Sequence, residues 1–201
     1  AKWSALPALR AQLSQDLAQR ITEVDPHVIC AHSLGSLISY DTLAARQDLV
    51  KNRLFVTLGS QIGHPALAET FGGYLRPLDT ARHWYHLFNP EDAVLTAELE
   101  FPAAPFTQLD TYFDEFGPLD HSADKYLGHE VTAANVWAGL SEALSRALKP
   151  ARPTAGPALG GRWFKAPLIL QRTPRQRRAL LIGINDYPQP ENRLNGCVND
   201  V

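Results

Sequence analysis

Val28-Ile29-Cys30-Ala31-His32-Ser33-Leu34-Gly35-Ser36 is the stretch on which the fold turns. Val28 to Ala31 is a short, wholly apolar run, the pattern of a strand buried on both faces. Past Gly35, the residues Leu37, Ile38, Leu43, Ala44 and Ala45 read as a helix. Ser33 therefore stands at a sharp strand-to-helix turn, with small residues two places before it and two after, Ala31 and Gly35. Upstream, Trp3, Leu6, Leu9, Leu13, Leu17 and Ile21 recur every three or four residues and predict an amphipathic helix, with Pro7 near its first turn and Asp25-Pro26 as its stop. Downstream, Leu54 to Leu58 and Trp84 to Phe88 read as buried strands, Phe106 to Phe113 as a fourth strand, and Ser122 to Leu148 as a helix.

Strands alternating with helices predict an α/β fold, a doubly wound and mostly parallel sheet with helices on both faces. The alternation runs through residue 148. Residues 149–177 are rich in Pro, Ala, Gly and Arg and read as a linker, and Ala179 to Ile184 opens a new buried strand. The segment 178–201 is too short for a domain of its own and reads as the truncated start of one. The chain has 201 residues but no methionine and begins at Ala1, so a fragment of a longer protein is expected. A formal net charge of −2 gives no reason to expect nucleic acid as a partner. No apolar run approaches the roughly 20 residues of a membrane span. Two distant cysteines, Cys30 and Cys197, argue against a disulfide framework and fit a reducing cytoplasm.

A serine hydroxyl is a poor nucleophile at neutral pH and needs a neighbouring base held by a third group. The pattern G-x-S-x-G directly after a buried strand exposes such a serine, and Ala31-His32-Ser33-Leu34-Gly35 matches it with alanine for the first glycine. The competing reading of Ser33 is a helix N-cap. His32, beside it on the chain, reads as a structural neighbour that points elsewhere.

With its continuation to Ser36-Leu37-Ile38-Ser39-Tyr40-Asp41, this run resembles bacterial α/β-hydrolases of the lipase/esterase type. The resemblance implies a triad in the order serine, acid, histidine. Asn89-Pro90-Glu91-Asp92-Ala93-Val94 is similar to the loop that carries the acid in that family, which implies Asp92, with Glu91 second and a solvated loop carboxylate the remaining alternative. Asp120-His121-Ser122-Ala123-Asp124-Lys125-Tyr126-Leu127 resembles the family's His-x4-Tyr-Leu pattern, which implies His121 as general base, with His129 its rival. His27, His64, His83 and His86 read as structural. The N–H of Leu34 is the expected oxyanion donor; in the family a second donor follows an early strand that precedes this chain's first helix. The resemblance thus covers residues 1 to about 148, the C-terminal half of the fold, and this polypeptide alone is expected to be inactive. No cofactor and no metal is implied.

Ala179-Leu180-Leu181-Ile182-Gly183-Ile184-Asn185-Asp186-Tyr187, followed by Leu194-Asn195-Gly196-Cys197-Val198-Asn199-Asp200, resembles the opening of a caspase-like, metacaspase-type cysteine peptidase domain. That family's catalytic histidine and cysteine would lie beyond residue 201, and Cys197 reads as a small apolar residue. Three functional expectations follow. The parent is a serine hydrolase for a small-molecule ester or lipid substrate, joined to a cysteine-type endopeptidase acting on protein. Or it is chiefly a peptidase with the hydrolase-like region as a sensor. Or that region is a non-catalytic binding module.

Overall fold

The computed structural model describes residues 2–92, 94, 96–102, 105–114, 120–140 and 178–182. The segments read as strands become strands: β1 (Val28–His32), β2 (Leu54–Leu58), β3 (His83–Phe88) and β4 (Phe106–Asp110), the last ending short of the expected Phe113. A fifth strand, β5 (Ala179–Ile182), joins them, and all neighbours pair in parallel in the order β4-β3-β2-β1-β5. The α/β architecture expected from the alternation is the one observed.

Side-chain alternation along β1 divides the molecule into layers. Ile29 and Ala31 pack on one face with Phe55, Trp84 and the helices α2 (Pro7–Val24) and α3 (Leu34–Ala45). Val28 and Cys30 pack on the other with Val56, Leu87, Leu109 and α4 (Ala123–Gly128). Every residue of β1 and β2 is buried, so the sheet core is covered on both sides.

Two helices depart from the sequence expectation, each for a local reason. The N-terminal helix is divided into α1 (Lys2–Ala5) and α2, because Leu6 is extended and Pro7 occupies the first turn of the second piece. Proline has no N–H to donate and its ring clashes with the preceding turn, so it starts a helix more readily than it continues one. The helix expected over 122–148 is interrupted after Gly128. His129 is extended and starts α5 (Glu130–Thr132) by accepting the Val131 N–H on its own ring, after which the chain continues through Ala133–Trp137. Residues 141–177 and 183–201 lie outside the described residues, and with them the linker, Cys197 and most of the caspase-like resemblance.

The placement of β5 is the main topological finding. Its sequence reads as the opening of a separate domain, yet Ala179–Ile182 lie in register beside Val28–Ala31, on the edge of the same sheet. Leu180 and Ile182 pack toward the α2–α3 layer and Leu181 toward α4. Contact with the start of α3 is close: a Cβ on Gly35 would stand 2.6 Å from the Ile182 carbonyl oxygen. Only glycine admits β5 at that spacing. Among the described residues, no helix is long and apolar enough to cross a membrane.

The buried polar groups of the sheet are tied in chains. Trp84 Nε1 donates to Thr57 Oγ1 at 2.9 Å, the Thr57 hydroxyl lies 2.9 Å from His86 Nδ1, and His86 Nε2 donates to the Ala97 carbonyl at 3.0 Å. Complete burial disfavours the charged form of His86 and pushes its pKa down to about 4. Between the ordinary histidine value and about 4, the unfolded chain holds a proton at this residue that the folded chain does not. Stability should therefore fall as pH drops through that window and stop responding to His86 below it, with a ceiling of about 3 kcal/mol from this one group. Urea unfolding between pH 7 and pH 4 measures the slope. His86→Gln, which does not titrate, should reduce it; an unchanged slope in that variant would contradict the assignment.

Candidate active site

Because all five strands are parallel, the segments leaving β1, β2 and β3 emerge at one edge of the sheet. Ser33 leaves β1, Gly59 and Ser60 leave β2, and Asn89 to Asp92 leave β3. Residues after β4 return to this edge as His121, two places before α4.

Ser33 has φ 53° and ψ −128°, a left-handed conformation rare for a residue with a side chain. It makes no side-chain capping bond to α3, so the N-cap alternative does not describe it. The turn is pinned on both sides. Ser33 N–H donates to the Leu58 carbonyl at 3.1 Å, and its own carbonyl accepts from Ser36 N–H at 2.9 Å and the Ser36 hydroxyl at 2.6 Å. The Ser36 and Ser60 hydroxyls are 2.6 Å apart, and Ser60 accepts from Ile62 N–H at 3.3 Å, which joins the β1 and β2 exits. These bonds hold a backbone geometry that costs about 1–3 kcal/mol by itself.

Asp92 is brought to His121. Its side chain is fully buried, and His121 Nδ1 donates to Oδ2 at 2.8 Å and lies 3.0 Å from Oδ1. Two more donors complete the carboxylate: the Tyr126 hydroxyl to Oδ2 at 2.6 Å and Val94 N–H to Oδ1 at 2.9 Å. Burial and the adjacent Asp92 carboxylate push the Tyr126 phenol well above its ordinary pKa, so it stays a proton donor in this contact. Glu91, the second choice from sequence, is exposed; its backbone N–H donates to the Asn89 side chain. Asn89 is itself buried and organises the loop, donating to the Phe113 carbonyl at 2.8 Å and accepting the Thr96 hydroxyl on its own carbonyl at 2.8 Å.

His121 is 6% exposed, and its Nε2 is buried without a hydrogen-bond partner. With Nδ1 donating to Asp92, Nε2 carries the free lone pair, the state a general base requires. His129 is committed elsewhere: Nε2 donates to the Tyr112 carbonyl at 3.1 Å and Nδ1 accepts from Val131. Leu34 is the first residue of α3, where backbone N–H groups lack intrahelical acceptors.

The sequence reading missed two residues here. Tyr126 was visible only as part of a spacing pattern, with no role attached. His32, expected to point elsewhere, is in ring contact with His121 at a centroid distance of 4.5 Å. Its position on β1 has the parity of Cys30 and Val28, the face that α4 covers, and that alternation was the available signal.

Two outcomes follow. Ser33→Gly should be more stable than Ser33→Ala by about 1 kcal/mol, since only glycine relaxes the left-handed turn; equal denaturant midpoints would contradict a strained turn. Tyr126→Phe removes one of three donors to a buried carboxylate and should cost about 1–3 kcal/mol, read from the same unfolding curves.

Compared with known proteins, the chain matches no family model, no curated protein and no solved structure.

Proposed function

We propose that this chain carries the nucleophile, acid and base of a serine hydrolase acting on ester or lipid-type carbonyl substrates. One arrangement supports the reading above all. A serine on a strained strand-to-helix turn shares a sheet edge with a buried carboxylate–imidazole pair whose distal nitrogen is free. In this reading Ser33 Oγ attacks the substrate carbonyl carbon while His121 Nε2 takes its proton. The electron pair of the C=O bond moves onto oxygen, and the Leu34 N–H is the donor offered to that oxyanion. The imidazolium then returns its proton to the departing alkoxide, leaving an ester on Ser33. Water repeats the sequence and releases the acid, restoring the serine.

Asp92 holds the imidazole in the tautomer that leaves Nε2 available, and it stabilises the imidazolium without taking the proton. Tyr126 and the Val94 N–H keep the carboxylate oriented while leaving one of its approaches to His121. The turn contributes by taking Ser33 out of the strand, where an in-line residue would have the parity of Ile29 and Ala31 and point into the α2–α3 layer. The reading concerns residues 1–148, and a caspase-like role for 178–201 is no part of it.

The experiment is covalent labelling with a fluorophosphonate probe in the natural polypeptide that carries this sequence, with peptide mapping of the adduct. Label on Ser33, its loss in Ser33→Ala, and a fall of at least about 100-fold in rate in His121→Ala are expected. Undiminished labelling of Ser33→Ala would overturn the proposal.

A further inference from the structure

We propose that His32 is a positioning residue for the base, holding the His121 segment against the Ser33 turn through its hydrogen bond to the His121 carbonyl. The inference rests on the serine-hydrolase reading and adds a further side chain to it.

A backbone carbonyl can only accept, so the 2.8 Å contact between His32 Nε2 and the His121 oxygen fixes the His32 tautomer with its proton on Nε2. The bond joins the residue directly before the nucleophile to the backbone of the base, across 89 positions of sequence. The two imidazole rings also lie 4.5 Å apart at an interplanar angle of 38°. His121 is thus gripped at both ends, its Nδ1 by Asp92 and its backbone by His32.

The floor beneath the two rings is Gly59, at φ 52°. A Cβ there would stand 2.9 Å from His121 Cε1 and 3.0 Å from His32 Nε2, so the two imidazoles fill space that any other residue would occupy. Strand β2 therefore ends in a glycine that makes room for both. Charge is consistent with the arrangement. Burial, and after it the neighbouring His121, push the His32 pKa down to about 4, so His32 stays neutral while His121 cycles through its cation. A second cation against the imidazolium would oppose proton uptake by the base.

Two amide side chains separate this role from simple filling of space. Gln places its Nε2 close to where the histidine Nε2 stands and can still donate to the His121 carbonyl; Asn is similarly polar but too short to reach it. His32→Gln should label at Ser33 within about 3-fold of the wild-type rate, and His32→Asn about 10- to 100-fold more slowly. Imidazole nitrogen NMR reads the same contact without needing activity: His121 should keep the Nδ1–H tautomer in His32→Gln and show a mixture in His32→Asn. Equal labelling by the Gln and Asn variants, with His121 unchanged in both spectra, would overturn the proposal. If Ser33→Ala still labels, the hydrolase reading fails instead, and the NMR arm continues to report on His32 and His121 alone.

Discussion

A carboxylate with no access to water has to be given its hydrogen bonds by the protein, and the burial of Asp92 imposes that requirement on three separate segments. Burying a carboxylate without hydrogen-bond partners costs several kcal/mol. Instead, Val94 from its own loop, His121 from the chain after β4 and Tyr126 from α4 all donate to it. Satisfying one charge thereby fixes the loop after β3, the return of the chain from β4, and the docking of α4 on the sheet. Asn89 secures the same loop from beneath by bonding across to Phe113. The polar centre and the packing of the α4 layer are one structural problem with one solution.

A second constraint acts from the opposite side of the site. The turn at Ser33 is strained, and its backbone bonds come from β2 and from the first turn of α3. These are rigid elements, fully buried in the sheet and the α2–α3 layer. Strain survives only where surroundings over-determine the geometry, and the Ser36–Ser60 contact provides that by joining the exits of two adjacent strands. The Ser33 turn is therefore fastened to one layer, and the Asp92–His121 pair, through Tyr126, to the other. The end of the sheet is the place where both layers meet.

Much of this was legible in the sequence because the strands are short apolar runs with no competing helical period. Leu54–Leu58 formed with the bounds read from composition alone, and β1 and β3 differ by a single residue. Asp92 and His121 were legible as residue types in suitable loops; that they touch depends on distances no local pattern encodes. Three features were hidden. The break at His129 comes from a histidine ring capping its own helix, which periodicity does not register. The pairing of β5 with β1 joins residues about 150 positions apart, and an apolar strand carries no mark of which edge it will choose. His32 was passed over because adjacency on the chain suggests divergence in space, and in a strand successive side chains do diverge.

Alternation sends His32 to the α4 face, but Ser33 is not the next residue of a strand: β1 ends at His32, and the positive φ of Ser33 turns the chain there. A residue with ordinary strand dihedrals at position 33 would point toward the α2–α3 layer, on the parity of Ala31 and Ile29. The strained turn, the glycine at 59 and the histidine at 32 thus lie together where β1 and β2 end.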